Sequence, residues 1–382
     1  MTDTLAIDFG TAAALAAVMP DSKPQVLSGL GTADSFLFPT VMAFEDDHSP
    51  LFGWEALKRR TAAPLTAVAS VKRLLATGGA ELAAAAEEHY FPYAVHAEKG
   101  MPIISAGGRS WKPAEIAGRI LEAIKNSAEK KTGKSFTRVI LTQSACFDEA
   151  ASAELREAAG LAGFKQCELI LESSAVALAW AAERPEDGMF GVYNLGAGFF
   201  EAALFENKNG VIRCLARDCA QIGGEDFSWQ TARFFLDDLG NPALAQDPVL
   251  VQRLYEEAER AKCALSHRGS CDIRIEDAVR KIDYLKAFSR YELGTVVNPL
   301  VDQTREAVEN LLSSAKLKAE DIKVWLPAGG STRMPIVREA LRLMTGKRPE
   351  EAANPDHLAV TGACIHGAAL ESKQKTPRLA DE

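Results

Sequence analysis

Apolar and polar residues follow the same outline in two distant segments. The first runs Ala6-Ile7-Asp8-Phe9-Gly10-Thr11-Ala12 and continues into apolar Leu15-Ala16-Ala17-Val18. The second runs Val192-Tyr193-Asn194-Leu195-Gly196-Ala197-Gly198 and continues into Ala202-Ala203-Leu204-Phe205. Each reads as an apolar strand bearing a carboxylate or its amide, a small glycine-containing turn, and a second apolar strand, which predicts a β-hairpin. A single Asp-x-Gly turn is commonplace. Its recurrence roughly 190 residues later, at the start of each half, implies an internal duplication.

Helical periodicity fills the intervals. Pro113 opens a helix at its first turn, Ile116, Ile120, Leu121 and Ile124 form its apolar stripe, and Gly133 ends it. A strand at Val139-Ile140-Leu141 and an Ala/Glu-rich helix from about Asp148 to Leu161 follow. Asp302 is expected to cap a further helix with Val308, Leu311 and Leu312 facing inward. Strands alternating with helices in both halves imply an α/β fold of two lobes. The polar stretch from Glu371 to Glu382 predicts a disordered tail, and no low-complexity linker divides the chain.

Composition narrows the function. The chain has 382 residues, 47% hydrophobic and 25% charged, ordinary for a soluble globular protein of two domains or one large duplicated unit. A net charge of −9 argues against a large nucleic-acid or anionic-membrane footprint. The basic run Lys58-Arg59-Arg60 reads as solvated helix surface. The N-terminus passes straight into Leu5-Ala6-Ile7 without a signal-peptide pattern, and no apolar run is long enough for a transmembrane helix. Seven cysteines (146, 167, 214, 219, 263, 271 and 364) are scattered with no CxxC pair, which predicts reduced thiols and a cytoplasmic location. The six histidines form no metal-ligand cluster.

A tight turn of small residues can aim several backbone N–H groups at one point and so cradle phosphate oxygens. Two such hairpins facing each other would grip a polyphosphate from both sides, and Asp8 would then face a hydrated Mg²⁺. Either hairpin alone is equally an ordinary turn; the repeated pair favours the phosphate reading. A third element, Ala328-Gly329-Gly330-Ser331-Thr332-Arg333-Met334-Pro335, follows a strand ending near Leu326. Paired glycines there let a flat base or ribose lie against the backbone, with Arg333 free to stack on it or reach a phosphate. The bland alternative is a tight strand-to-helix connection.

From Leu5 to about Leu370 the chain resembles the N-terminal ATPase domain of the seventy-kilodalton heat-shock chaperones, members of the actin-like ATPase superfamily. The resemblance is carried by Ile7 to Thr11, Ser70-Val71-Lys72-Arg73-Leu74 and Glu172-Ser173-Ser174-Ala175-Val176-Ala177. It continues through Gly223-Gly224-Glu225-Asp226-Phe227, Glu259-Arg260-Ala261-Lys262, Gly329 to Pro335 and Asn354-Pro355-Asp356. Ser70 through Met101-Pro102-Ile103 looks most like the branch specialised for iron–sulfur cluster assembly. The resemblance implies an actin-like ATPase fold of two duplicated, ribonuclease-H-like lobes around a central nucleotide cleft. Lobe I would span 1–185, lobe II 186–353, and a helix at 354–370 would return to lobe I ahead of the tail at 371–382.

The same resemblance implies ATP or ADP with Mg²⁺ as ligands and assigns the site residue by residue. Gly10 and Thr11 would bind phosphate in the first hairpin, and Gly196, Ala197 and Gly198 in the second. Asp8 would face magnesium through water, Lys72 would sit at the γ-phosphate and orient the attacking water, and Glu172 would hold the metal and water network. Gly224 would lie near the ribose and phosphates. Glu259, Lys262 and Ser266 would line the adenosine pocket from lobe II, with Gly329, Gly330, Ser331, Arg333 and Asp356 closing its other side.

Departures from the family pattern weaken the hydrolytic half of that site. Asn194 stands in place of an aspartate, losing negative charge and the capacity to accept a proton, and general-base help is worth roughly 10²–10⁴ in rate. Phe199 and Ala12 each replace a threonine of the hairpin turns. Cys263 replaces an arginine expected to stack on adenine, a loss of about 0.5–2 kcal/mol. Ser144 and Ser173 replace prolines that link the site to lobe rotation, and the segment between Phe227 and Tyr255 is short for the outer part of lobe II. The chain ends at Glu382 without the family's apolar linker and peptide-binding domain. Three functions follow as expectations: a slow ATPase assisting a chaperone system together with a co-chaperone or other protein partner, a non-hydrolysing nucleotide sensor or scaffold, and a small-molecule kinase of the same superfamily. The kinase would need a catalytic aspartate and a sugar site that the sequence does not offer.

Overall fold

The computed structural model describes residues 3–31, 35–75, 91–350, 354–371 and 377–380. Two larger sheets carry the architecture. In the first, Thr4–Phe9 lies between its hairpin partner Ala13–Val18 and the parallel strand Arg138–Gln143, which pairs in parallel with Gln166–Leu171. In the second, Gly188–Leu195 lies between its hairpin partner Phe200–Lys208 and the parallel strand Val324–Ala328. The same motif therefore occurs twice, each time with the repeated hairpin of the sequence at its centre.

Both faces of each hairpin are buried, which explains their apolar runs. Leu5, Ile7 and Phe9 point into a core shared with Ile116, Ile120, Leu121 and Ile124 of the helix Pro113–Thr132, whereas Ala6 points to the opposite face. Tyr193, Leu195, Phe200 and Leu204 pack on the helices Gly224–Asp238, Pro248–Leu265 and Arg290–Ala315, while Val192, Ala203 and Phe205 face the other way. Those two inward-facing surfaces enclose the helices Glu172–Glu183 and Leu358–Glu371. The two helices cross so closely that a β-carbon on Gly362 would fall 1.7 Å from the Ala175 carbonyl oxygen. They are the shared wall against which both sheets are positioned.

Local signals act as their chemistry requires. Glu115 accepts from the Lys112 N–H at 2.7 Å at the start of Pro113–Thr132, and Gly133 closes the helix at φ 66°. Asp148 caps Glu149–Leu161 by accepting from Ala151 N–H at 2.8 Å. Two expectations are corrected. The helix carrying Val308 and Leu311 does not begin at Asp302; it runs Arg290–Ala315 from a reciprocal cap of Ser289 and Glu292, and passes through Pro299. Asp302 lies mid-helix, bonded to Asn298 at 2.7 Å and Arg305 at 3.2 Å. Within the expected disordered tail, Arg378–Leu379 pairs in parallel with Val211 and Ile212, where the apolar Leu379 packs at the edge of the core. Tail residues 372–376 and 381–382 lie outside the described residues, as do 76–90 and 351–353. Among the described residues, no helix is long and apolar enough to cross a membrane.

Candidate functional site

The two hairpin turns meet. A β-carbon on Gly198 would sit 2.6 Å from the Thr11 hydroxyl oxygen, so the second turn is pressed against the first and an added side chain would have to displace Thr11. Two other segments brace the second turn. Gly224 N–H donates to Gly196 O at 2.9 Å, Glu225 N–H donates to Ala197 O at 2.8 Å, and the Ser331 hydroxyl donates to Gly196 O at 2.9 Å. Gly329 adopts φ 81° and approaches so near that an added β-carbon would lie 2.4 Å from Leu195 O. The turns open onto a cavity of about 780 Å³, in the size range of small-molecule sites.

A buried charge cluster lies at the floor of the cavity. Lys72 is 1% exposed and pairs with Glu172 at 2.6 Å, and the Asn194 amide nitrogen donates to the other Glu172 oxygen at 2.7 Å. Asp8 accepts from Thr142 at 2.5 Å. Burial and then the Glu172 charge push its carboxyl up to about 6, against the opposing pull of Lys72 and Thr142. Phe199 is 4% exposed and packs edge-on against Phe147 at 5.7 Å, with the Lys72 ammonium 5.9 Å from either ring centroid. The aromatic ring thus stands along the cavity wall beside the lysine head.

Along one face of Pro248–Leu265, the residues Glu259, Lys262 and Ser266 reach the cavity at helical spacing. Lys262 donates to Glu259 at 2.6 Å and to Gly224 O at 2.7 Å, and Ser228 donates to Glu259 at 2.6 Å. Burial would raise the Glu259 carboxyl, but Lys262 and the hydroxyl of Ser228 hold it below its usual range. Opposite, Arg333 is held by Asp356 at 2.5 Å and Asn354 at 3.1 Å. Cys263 lines the same wall, its thiol 3.4 Å from Glu259.

The eighteen residues assigned to the site from the sequence line this one cavity, namely Asp8, Gly10, Thr11, Lys72, Glu172, Asn194, Gly196, Ala197, Gly198, Gly224, Glu259, Lys262, Ser266, Gly329, Gly330, Ser331, Arg333 and Asp356, whereas Ser144 and Ser173 do not. Sequence reasoning missed the polar framework behind them. Arg73 is fully buried, pairs with Asp226 at 2.6 Å and Glu225 at 3.3 Å, and its guanidinium donates to Ala197 O at 3.4 Å. Ser70 donates to Glu225 at 2.8 Å. Glu201, buried on Phe200–Lys208, accepts from Ser173 and pairs with Arg217 at 3.2 Å. The clue was adjacency: Arg73 follows Lys72, and Glu225 and Asp226 follow Gly224, within motifs already singled out. Arg60 corrects the reading of its basic run as solvated surface, being buried with its guanidinium 5.0 Å from the Tyr255 ring centroid.

Among the described residues, no group of three or more His, Cys, Asp or Glu side chains is arranged to hold a metal directly. The Asp8 carboxylate facing the turns suits instead a cation that keeps its waters and takes phosphate oxygens, which is the habit of Mg²⁺.

Comparison with known proteins gives a consistent picture. The family model described as Hsp70 protein matches residues 4–381. A chaperone protein DnaK of Akkermansia muciniphila is 32% identical over 396 residues, covering 100% of this chain and 61% of that protein. A mitochondrial heat shock 70 kDa protein of Solanum tuberosum is 30% identical over 388 residues, covering 99% of this chain and 56% of that protein. The chain therefore spans about three-fifths of the length of these relatives.

Proposed function

Since the chain belongs to the Hsp70 family and has its α/β actin-like ATPase fold, we propose that its cleft binds ATP or ADP with Mg²⁺, hydrolyses ATP slowly, and serves or regulates a chaperone system. The carrying observation is the convergence of the two hairpin turns, with Gly198 pressed on Thr11 at the head of the cavity. In this reading the lobes are 1–185 and 186–353, and the segment 354–370, whose helix runs Leu358–Glu371 rather than from 354, returns to lobe I. Backbone N–H groups around Gly10, Thr11 and Gly196 to Gly198 receive the phosphates. Glu259, Lys262, Ser266 and the Gly329–Arg333 connection enclose the adenosine, Asp356 holding Arg333 over it. Magnesium, faced by Asp8 through water, would offset phosphate charge.

Slow turnover is argued from the buried cluster. Lys72 and Asn194 both donate to Glu172, so the carboxylate that would organise water is occupied by two protein donors. Asn194 cannot accept a proton as a carboxylate can, and Phe199 supplies no hydroxyl. The same arrangement supports a second reading, a nucleotide sensor or scaffold in which ATP fixes one cleft conformation without being consumed. Binding calorimetry with Mg²⁺ and ATP, run alongside phosphate release on the same sample, separates the two. Binding with measurable release supports the slow ATPase, binding without release supports the sensor, and no binding overturns both.

A co-chaperone or other protein partner belongs to this proposal, as does a cytoplasmic location supported by the scattered cysteines. The relatives include a mitochondrial protein, so family membership leaves the compartment unassigned. An iron–sulfur-assembly role rests on the Ser70–Ile103 segment alone.

A further inference from the structure

One cation of the cavity has no counter-charge. Arg60 is 9% exposed and lines the cavity, yet among the described residues no carboxylate pairs with it, and its Nε is buried without a hydrogen-bond partner. Its guanidinium rests 5.0 Å from the ring centroid of Tyr255, a phenol that burial holds neutral by raising it well above its usual range. The acids nearby are committed elsewhere. Glu256 accepts from Thr61 at 2.9 Å and Gln252 at 3.0 Å, and Glu225 accepts from Ser70 at 2.8 Å and Arg73 at 3.3 Å. A buried guanidinium in this state is costly, and an anion entering the cavity removes that cost. Arg60 sits on the helix Gly53–Ala62, where Trp54, Leu57 and Arg60 follow three residues apart and all reach the cavity. The Trp54 indole N–H donates to Leu37 O at 3.2 Å, and Leu37 and Pro39 line the cavity as well. A charged head therefore stands beside an apolar wall, and none of these residues is among the eighteen assigned to the site from the sequence.

We propose that Arg60 anchors a second ligand subsite in this cavity, one that takes an organic monocarboxylate. The carboxylate lies on the guanidinium, and the apolar body lies against Leu37, Pro39, Trp54 and Leu57. A guanidinium offers a planar fork of N–H donors that matches the two oxygens of a carboxylate. One carboxylate also balances one guanidinium charge. A phosphate dianion would bring surplus negative charge toward Glu225 and Glu256, which line the same cavity. Methylenes removed from water against the apolar side chains supply the remaining affinity. The ligand shares the cavity with the nucleotide of the proposed function but does not depend on it.

The test is calorimetric titration of the full chain with octanoate, with its neutral counterpart octanamide, and with acetate, which lacks the apolar body. Wild type should bind octanoate about tenfold or more tightly than either comparison ligand. Equal affinity for octanoate and octanamide, or no heat from octanoate, would overturn the subsite without recourse to any variant. R60M keeps an apolar stem and removes the charge. It should bind octanoate about tenfold or more weakly, bind octanamide as wild type does, and unfold in urea at a midpoint no lower than wild type. A lowered midpoint with octanoate affinity unchanged would make Arg60 a structural cation and overturn the proposal. Leu57→Ser, which leaves Arg60 in place, should weaken octanoate several-fold, and an unchanged affinity there would remove the apolar wall from the account. Repeating the titrations with Mg·ATP separates the two sites. If R60M loses ATP affinity as it loses octanoate, Arg60 belongs to the nucleotide subsite and the second subsite falls. A chain that binds octanoate through Arg60 but no ATP keeps this subsite and refutes the nucleotide reading; one that binds ATP but no octanoate does the reverse.

Discussion

Asn194 donates to Glu172 at 2.7 Å and the Phe199 ring stands 5.9 Å from the Lys72 ammonium, so under the proposed ATPase reading these two residues would limit the rate. Restoring a carboxylate and a hydroxyl in the double variant N194D/F199T should raise single-turnover phosphate release by roughly 10²-fold or more, with little change in ATP affinity. Unchanged release would show that the limitation lies elsewhere. Glu201 presents a different kind of test. Its carboxyl is pushed up from 4.5 to about 7, chiefly by burial, against the opposing pulls of Ser173 and Arg217. Because the folded state holds this proton more tightly than the unfolded chain does, the associated stability is fully present below about pH 4.5 and is lost as pH rises through 7. The loss amounts to roughly 3 kcal/mol. E201Q should flatten that part of the stability profile, measured by urea unfolding between pH 5 and 8; a profile as steep as wild type would remove Glu201 as its source.

The helices and turns are held by contacts whose partners lie far apart in sequence. Arg73 is buried among Glu225, Asp226 and Ala197 O, so it ties the helix Val71–Leu75 of the first half to the second hairpin turn. R73M leaves two buried carboxylates without that cation and should cost about 3–5 kcal/mol in urea unfolding; a cost below 1 kcal/mol would show that the triad is not what holds the turn. This arrangement also explains what the sequence could reveal. Ile7-Asp8-Phe9-Gly10 and its echo at Val192 to Gly198 were legible because strand alternation and small-residue turns are local signals. Gly133 and Asp148 were legible as helix ends for the same reason. Asp302 misled because a capping residue type also serves mid-helix, and the stronger Ser289–Glu292 pair lay twelve residues or so upstream. Arg60 and Arg73 misled or were passed over because burial of a cation depends on partners such as Tyr255 and Asp226, which only the tertiary fold supplies.

Two similar sheets share one wall of paired helices, and their hairpin turns face the same space. Both sheets pack on Glu172–Glu183 and Leu358–Glu371, so these helices join distant parts of the chain. The close crossing at Gly362 makes this wall intolerant of bulk, and G362A should destabilise the whole chain by about 1–3 kcal/mol. The eighteen residues of the site come from both halves, so no one half carries it. The most direct test is a calorimetric titration of Mg·ATP into wild type and into Gly198→Val, with adenosine as a comparison ligand. If the paired turns grasp a polyphosphate, wild type binds Mg·ATP far more tightly than adenosine, and the valine variant stays folded by circular dichroism but loses the ATP preference. Equal heats for ATP and adenosine, or no heat for either, would contradict a phosphate grip at these turns.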